Sequence, residues 1–381
     1  MHGEGVRGGW KLGATAVRPL PPLRVHGGFG SGAGSAPRRN SMRGVVLKGY
    51  RQVEVRTFPD PVPGPDEVVI QTRVAAICGS DLHFYRDTPE NLGPRTEMVV
   101  GHEPSGVVVA VGSCVRNVRV GDRVTVYHHM GCGTCAHCLA GDIMLCEQHV
   151  GIAAVGRGAD ADYVCVPERN CLRLPDELSF VDGAFIACIA GTAYSALLKL
   201  APSGRDTLAI LGLGPVGLVA GMMARAFGAR VVGFELVAER LDLARRIGLD
   251  YVFDAGEVDP VAVARDLTGG RGADGALETS GSPVAQVQAV RLVRKRGKVV
   301  FAGAGREEPC IAPWWIMQRE VTLMGTFVMP IHLYEDLVRF ILRHRLDFEQ
   351  VVTHRFSIED AAEAFRLADS GRTGKVLFVW E

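Results

Sequence analysis

The chain has no net charge, no long apolar run and no secretory signal, and each absence narrows what it can be. Its 42 Lys and Arg balance its 42 Asp and Glu over 381 residues. A surface built for nucleic acid needs a basic excess, so no nucleic-acid partner is expected. No apolar stretch approaches the roughly 18 residues of a membrane span, and no membrane partner is expected either. Without a signal peptide, the ten cysteines are not expected to form a disulfide framework. Reduced thiols, several of them on metal, point to a cytoplasmic setting. What is present is the composition of a folded chain, 47% hydrophobic and 22% charged, with enough length for two domains.

Residues 1–41 differ from the rest. They hold ten glycines, four prolines, six basic residues and one acid, Glu4, without a periodic apolar face. Such a stretch cannot offset its ordering entropy by burial, so a disordered or non-native extension is expected there. Met42 then opens a strand pattern.

Four cysteines carry the clearest signal. Cys132, Cys135, Cys138 and Cys146 have the spacing C-x2-C-x2-C-x7-C, which lets one short lobe, residues 131–147, close four sulfurs around a tetrahedral zinc. A four-thiolate site leaves no open position and is structural. Cys78, His102 and Cys188 lie far apart in the chain, as expected of an open Cys2His set gathered by folding. Such a set leaves room for water or an alcohol, whose pKa the ion lowers. Two zinc ions per subunit are expected.

From Met42 to about Val166 short strands alternate with Gly and Pro turns, including Glu67–Val74, Val107–Val111 and Arg123–Tyr127. Residues 182–199 have helical spacing. Strand and helix then alternate: Thr207–Leu211, 215–227, Arg230–Phe234 and 237–247. Helices at Leu333–His344 and Ile358–Ala368 precede a last strand, Lys375–Trp380, which could return to the first domain. The expected fold class is α/β, with a β-rich domain in residues 42–189 and 326–381 split around a cofactor domain in 190–325.

Gly212-Leu-Gly214-Pro215-Val216-Gly217 follows the strand Thr207–Leu211 and opens a helix. Gly212 permits the tight turn, Gly214 lets a pyrophosphate approach the backbone, and Gly217 lets helix and strand pack closely. Glu235 ends the next strand, where a carboxylate can accept hydrogen bonds from ribose hydroxyls and repel a 2'-phosphate. NAD is therefore expected over NADP, with Arg240 nearby as the residue that could favour the phosphate.

Cys78-Gly-Ser80-Asp81-Leu-His83, Gly101-His102-Glu103, the four-cysteine lobe, Cys188 and the glycine run together resemble the zinc-dependent medium-chain alcohol and polyol dehydrogenases, from about Met42 onward. The resemblance implies a Rossmann-type doubly wound cofactor domain inserted in a GroES-like catalytic domain. It implies that Cys78, His102 and Cys188 hold the catalytic zinc, with Glu103 as the near-metal carboxylate and Asp81 orienting His102. Ser80 would begin a proton relay and His83 continue it. Gly79 stands where some relatives place a basic residue against pyrophosphate. Lys375 is then either a phosphate contact or a solvated terminal lysine. The polyol and threonine branch usually has glutamate where this chain has Cys188, whereas the segment from Cys78 to Tyr85 looks like the polyol branch.

The expected reaction is NAD-dependent oxidation of a secondary alcohol (a polyol, cyclitol or sugar-derived hydroxyl) to a ketone. A simple alcohol dehydrogenase and a threonine dehydrogenase-like enzyme are the alternatives. Phe84, Tyr85, Trp314 and Trp315 are candidate cleft walls, and one of His128 and His129 could line the cleft. His137 is expected at the surface, and Cys114, Cys165, Cys171 and Cys310 as packing residues. An apolar edge at Val321–Val328 suggests a homodimer or homotetramer. A zinc-knuckle nucleic-acid binder is disfavoured because the 132–146 lobe has no Lys or Arg. A zinc-free reductase is disfavoured by the cysteines and His102.

Overall fold

Strand-forming Val and Ile runs build two large sheets and two small two-stranded ones in the computed structural model, which describes residues 41–305 and 307–381. The extension expected in residues 1–41 lies outside them, except for Ser41, which already belongs to the strand Ser41–Gly49.

The first sheet is mixed and has seven strands. Its order is Val352–Phe356, Lys375–Val379, Glu67–Ala76, Pro104–Val111, Arg123–Val126 and Cys171–Arg173, with Tyr163–Pro167 also paired to Glu67–Ala76. The C-terminal strand runs antiparallel to the early one, with Leu377 opposite Ala76. The chain therefore leaves this sheet, builds another, and comes back. Most of Glu67–Ala76 is buried, as expected of a strand inside the sheet, and only Glu67, Gln71 and Arg73 are partly exposed.

The second sheet is six-stranded and wholly parallel. Its order is Tyr251–Asp254, Arg230–Glu235, Thr207–Leu211, Ala273–Glu278, Val293–Phe301 and Thr322–Gly325. The order reverses beside Thr207–Leu211, so a crevice opens at the carboxyl end of that strand, where dinucleotides bind in doubly wound sheets. Every residue of Thr207–Leu211 is buried, as expected of a central strand covered on both faces.

The helical run expected over 182–199 is two helices, Phe180–Ala187 and Ile189–Leu200, bent by 56°. The break falls on Cys188, whose φ of −143° is outside the helical region. The second helix packs against Pro215–Ala226, the helix opened by the glycine run. Among the described residues no single helix is long and apolar enough to cross a membrane.

Candidate active site and metal sets

Folding brings Cys78, His102, Glu103 and Cys188 together, with one ligand atom of each within 4.8 Å of the others. Cys78 comes from the end of one strand of the mixed sheet and caps the helix Gly79–Arg86. His102 and Glu103 lie in the turn before Pro104–Val111, and Cys188 sits at the helix break.

Asp81 serves two of these residues at once. One carboxylate oxygen accepts the Cys78 backbone N–H at 2.9 Å, and the other lies 3.1 Å from His102 Nδ1. With Nδ1 held there, His102 keeps Nε2 for a metal. Burial works to lower the His102 pKa, but the charges of Asp81 and Cys78 outweigh it and raise it well above its usual value. Cys78 is lowered well below its usual value, first by its contact with Cys188, while Cys188 is raised by the same contact. The two sulfurs compete for one proton, a conflict that a cation between them relieves.

Lys375 meets neither alternative cleanly. It is 1% exposed, which rules out a solvated terminal lysine, and its ammonium lies 2.5 Å from Glu103 Oε2. The contact is a buried ion pair, and Glu103 Oε1 has no donor among the described residues. Burial pushes Glu103 up to about 8 despite the lysine. Removing one member of such a pair strands the other, at a general cost of about 3–5 kcal/mol.

Asp160 carries no signal in the sequence. It is fully buried, neither carboxyl oxygen has a partner among the described residues, and burial raises its pKa well above the usual range. Gly101, with φ of +85°, makes room for it: a Cβ there would sit 2.2 Å from Asp160 Oδ1. Ser80 is exposed in the first turn of Gly79–Arg86, and His83, one turn on, is half-buried.

The other cysteine set closes as its spacing predicts. Ligand atoms of Cys132, Cys135, Cys138 and Cys146 lie within 4.8 Å of one another. The N–H groups of Thr134 and Cys135 point at Cys132 Sγ from 3.5 and 3.4 Å and help pull that thiol down to about 5. Burial instead pushes Cys138 up to about 12. Sulfurs this close, one ready to ionise and one held protonated, fit a zinc that ionises all four.

The cofactor turn meets a steric test at each glycine. Gly212 has φ of +93°, and a Cβ on it would press Ser280 at 2.9 Å. A Cβ on Gly217 would lie 2.0 Å from the Gly212 carbonyl, so only glycine lets the helix start this close to the strand. At Gly214 the nearest atom to such a Cβ is Arg240 Nη1, 3.7 Å away, leaving the space that a pyrophosphate needs. Pro215 takes the first helical position and Val216 the second. Glu235 ends its strand and accepts N–H groups of Leu213 at 2.8 Å, Leu236 at 2.7 Å and Val237 at 3.2 Å. Arg240 reaches the Thr373 carbonyl at 3.1 Å and approaches Glu235 at 3.8 Å.

Two expectations are corrected, those for the rings Phe84 and Tyr85 and for Cys114 and Cys310, and His137 stands at the surface as expected. Tyr85 is buried against Phe365, and Phe84 packs partly on the same core under an Arg95 guanidinium, so these rings serve packing. Cys114 and Cys310 are exposed, whereas Cys165 and Cys171 are buried as expected. His137 is exposed, and His128 and His129 are both buried close to His102.

Comparison with known proteins follows the same division. Residues 64–176 match the alcohol dehydrogenase GroES-like domain and residues 215–343 the zinc-binding dehydrogenase domain. An L-threonine 3-dehydrogenase of Saccharopolyspora erythraea is 35% identical over 332 residues, 86% of this chain and 96% of that protein. A sorbitol dehydrogenase of Bacillus subtilis is 33% identical over 335 residues, covering 86% and 94%. The crystal structure of galactitol-1-phosphate dehydrogenase from Escherichia coli superposes with a TM-score of 0.81 at 28% identity, over 89% of this chain and all of that one. The likeness runs along nearly the whole length of these relatives, and with its two metal-ligand sets and its NAD-binding Rossmann domain the chain belongs to the zinc-type medium-chain alcohol and polyol dehydrogenase family.

Proposed function

We propose that this NAD-dependent dehydrogenase oxidises a secondary hydroxyl flanked by other hydroxyls, in a polyol, cyclitol or sugar-derived alcohol, to the ketone. The observation that carries the reaction is the convergence of Cys78, His102 and Cys188, with Glu103 beside them. Zinc held by that set supplies a Lewis acid that lowers the pKa of an alcohol, and NAD supplies the hydride acceptor.

The chain's own residues do the rest. Asp81 fixes the first two ligands through a single carboxylate, which holds the set rigid. Ser80, two residues past Cys78 and exposed, receives the substrate proton, and His83 passes it toward solvent. Lys375 offsets the charge of Glu103 in a site where burial disfavours a lone carboxylate. Gly214 and the turn around it would seat the pyrophosphate, and Glu235 would accept the ribose hydroxyls.

The polyol reading is supported by the segment Cys78–Tyr85 and by the names of the sorbitol and galactitol-1-phosphate dehydrogenases that the chain resembles. Threonine is the second reading, favoured by the L-threonine 3-dehydrogenase at 35% identity and weakened by Cys188 in place of glutamate. The test is NADH formation over primary alcohols, secondary alcohols, polyols, cyclitols and L-threonine, each with NAD and with NADP. Highest kcat/KM on a polyol or cyclitol with NAD is expected. Preference for unadorned primary alcohols, or for threonine, overturns the substrate assignment.

A further inference from the structure

The zero net charge of the chain conceals a local excess. Five of the eight residues 291–298 are basic, namely Arg291, Arg294, Lys295, Arg296 and Lys298, and no acid stands among them. They leave the helix Pro283–Leu292 and enter the strand Val293–Phe301 at its amino end. Ala273 pairs with Val293 but Gly275 pairs with Lys298, so the residues between Val293 and Lys298 bulge out of the ladder and leave Lys295 exposed.

Three more cations reach the same place from other elements. Arg265 comes from the last turn of the helix Pro260–Asp266, Arg271 from the turn before Ala273–Glu278, and Arg319 from the end of the helix Pro313–Arg319. With Lys295, Gly270 and Gln318 they line a cavity of ≈ 380 Å³, and no carboxylate stands in its wall among the described residues. Gly270 has φ of +83°, and no atom lies within 4 Å of where a Cβ on it would sit, so the mouth is open.

These charges are not balanced within the chain. Arg271 has Asp274 at 3.7 Å, but Arg294 already holds that carboxylate at 2.7 Å. Among the described residues no carboxylate is paired with Arg265, Lys295 or Arg319. Arg319 is fixed instead by two carbonyls, those of Val290 at 3.1 Å and Arg291 at 3.2 Å, which aim its guanidinium without neutralising it. Burial first, then Arg265 and Arg291, lower its pKa, yet a guanidinium stays charged at any ordinary pH. Like charges gathered in a recess repel one another, and a bound anion removes that repulsion. The recess lies at the amino ends of its two strands, whereas the cofactor crevice opens at the carboxyl ends of the same sheet. A six-residue strand such as Ala273–Glu278 spans roughly 20 Å, which separates the two places.

We propose that Arg265, Arg271, Lys295 and Arg319 form a binding site for a small anion that carries two or more linked phosphates. Guanidinium forks take phosphate oxygens two at a time, and Gln318 adds an amide donor. A single phosphate group brings at most about two negative charges, too few for four cations, and would fill only part of the cavity. The ligand would join two helices, a turn and a strand of the cofactor domain, and so stabilise that domain without touching substrate or NAD.

Isothermal titration calorimetry at constant ionic strength tests this with inorganic tripolyphosphate and with orthophosphate. The zinc-loaded chain is first saturated with NADH, so that the glycine turn is already filled, and zinc content is measured before and after. Tripolyphosphate should bind once per chain, about 10-fold or more tighter than orthophosphate, and should raise Tm. Arg265→Glu combined with Lys295→Glu, both at exposed positions, should weaken that binding about 10-fold or more and leave the KM for NAD unchanged. Arg319→Lys, which keeps the charge but loses the fork, should weaken it by less. No binding by the wild type overturns the site, as does equal heat from the double variant, the result that extraction of zinc would give. A double variant whose affinity for NAD falls in step would place the anion in the cofactor crevice and also overturn it. Orthophosphate binding as tightly as tripolyphosphate overturns the linked-phosphate class. If the double variant does not fold, Lys295→Ala decides by the same comparison.

Discussion

At the scale of single residues, the helix Gly79–Arg86 divides its labour by exposure. Asp81 is buried and holds Cys78 and His102, while Ser80 next to it is exposed. Ser80→Ala should therefore leave both metal sets intact and reduce alcohol oxidation about 10²-fold, a loss of general-base assistance without loss of ligands. Metal analysis together with kcat, in an assay where hydride transfer is rate-limiting, checks this; near-normal turnover would remove Ser80 from the mechanism. Much of what is legible in the sequence is local, while the distant set Cys78, His102 and Cys188 and the contact of Asp81 with His102 are legible through the resemblance those motifs carry. The four cysteines of the lobe, Cys78 with Asp81, and His102 with Glu103 are neighbours in the chain. Lys375 on Glu103, Asp160 under Gly101, and His149 beside His129 are contacts made only by folding. Tyr85 was misplaced for the same reason, because the partner that buries it is Phe365 in a distant helix.

Single elements show what the metal sets do for the chain. The cysteine lobe contains only a five-residue helix, Ala136–Ala140, and a 3-10 turn at Ile143–Leu145, too little regular structure to hold its shape by backbone hydrogen bonds. Ile143 and Met144 are buried but Leu139 and Leu145 are exposed, so apolar burial holds it only in part. Zinc would then supply much of the folding free energy of the lobe. Cys135→Ser should lower the melting temperature and remove one zinc, with the folded remainder keeping the zinc of the open set. Two zinc ions retained per chain in that variant would show that four thiolates are not the ligands. The break at Cys188 teaches the converse lesson. Periodicity over 182–199 reads as one helix because both halves keep apolar faces, and the departure of a single φ from the helical region leaves no compositional trace.

For the whole molecule, strand and helix alternation made the parallel sheet legible, since Thr207–Leu211, Arg230–Glu235, Tyr251–Asp254 and Ala273–Glu278 are each followed by a helix within a few residues. The return of the chain was legible only as a possibility. The pairing of Lys375–Val379 with Glu67–Ala76 joins segments with no shared local pattern. One edge of the parallel sheet has consequences beyond the single chain. Among the described residues Thr322–Gly325 is paired on one side only, to Val293–Phe301, and the helix Pro313–Arg319 before it exposes Trp314 at 61% and Met317 at 69%. Unpaired backbone beside large exposed apolar side chains is a liability that a second copy, related by a two-fold axis, removes for both partners. Light scattering coupled to gel filtration should therefore give two or four times the chain mass of 40.9 kDa. Trp314→Glu combined with Met317→Glu should shift that mass toward the monomer, because two charges on each side of the axis would face their own copies. A wild-type mass of one chain, or a double variant that keeps its assembly, would place the contact elsewhere on the molecule.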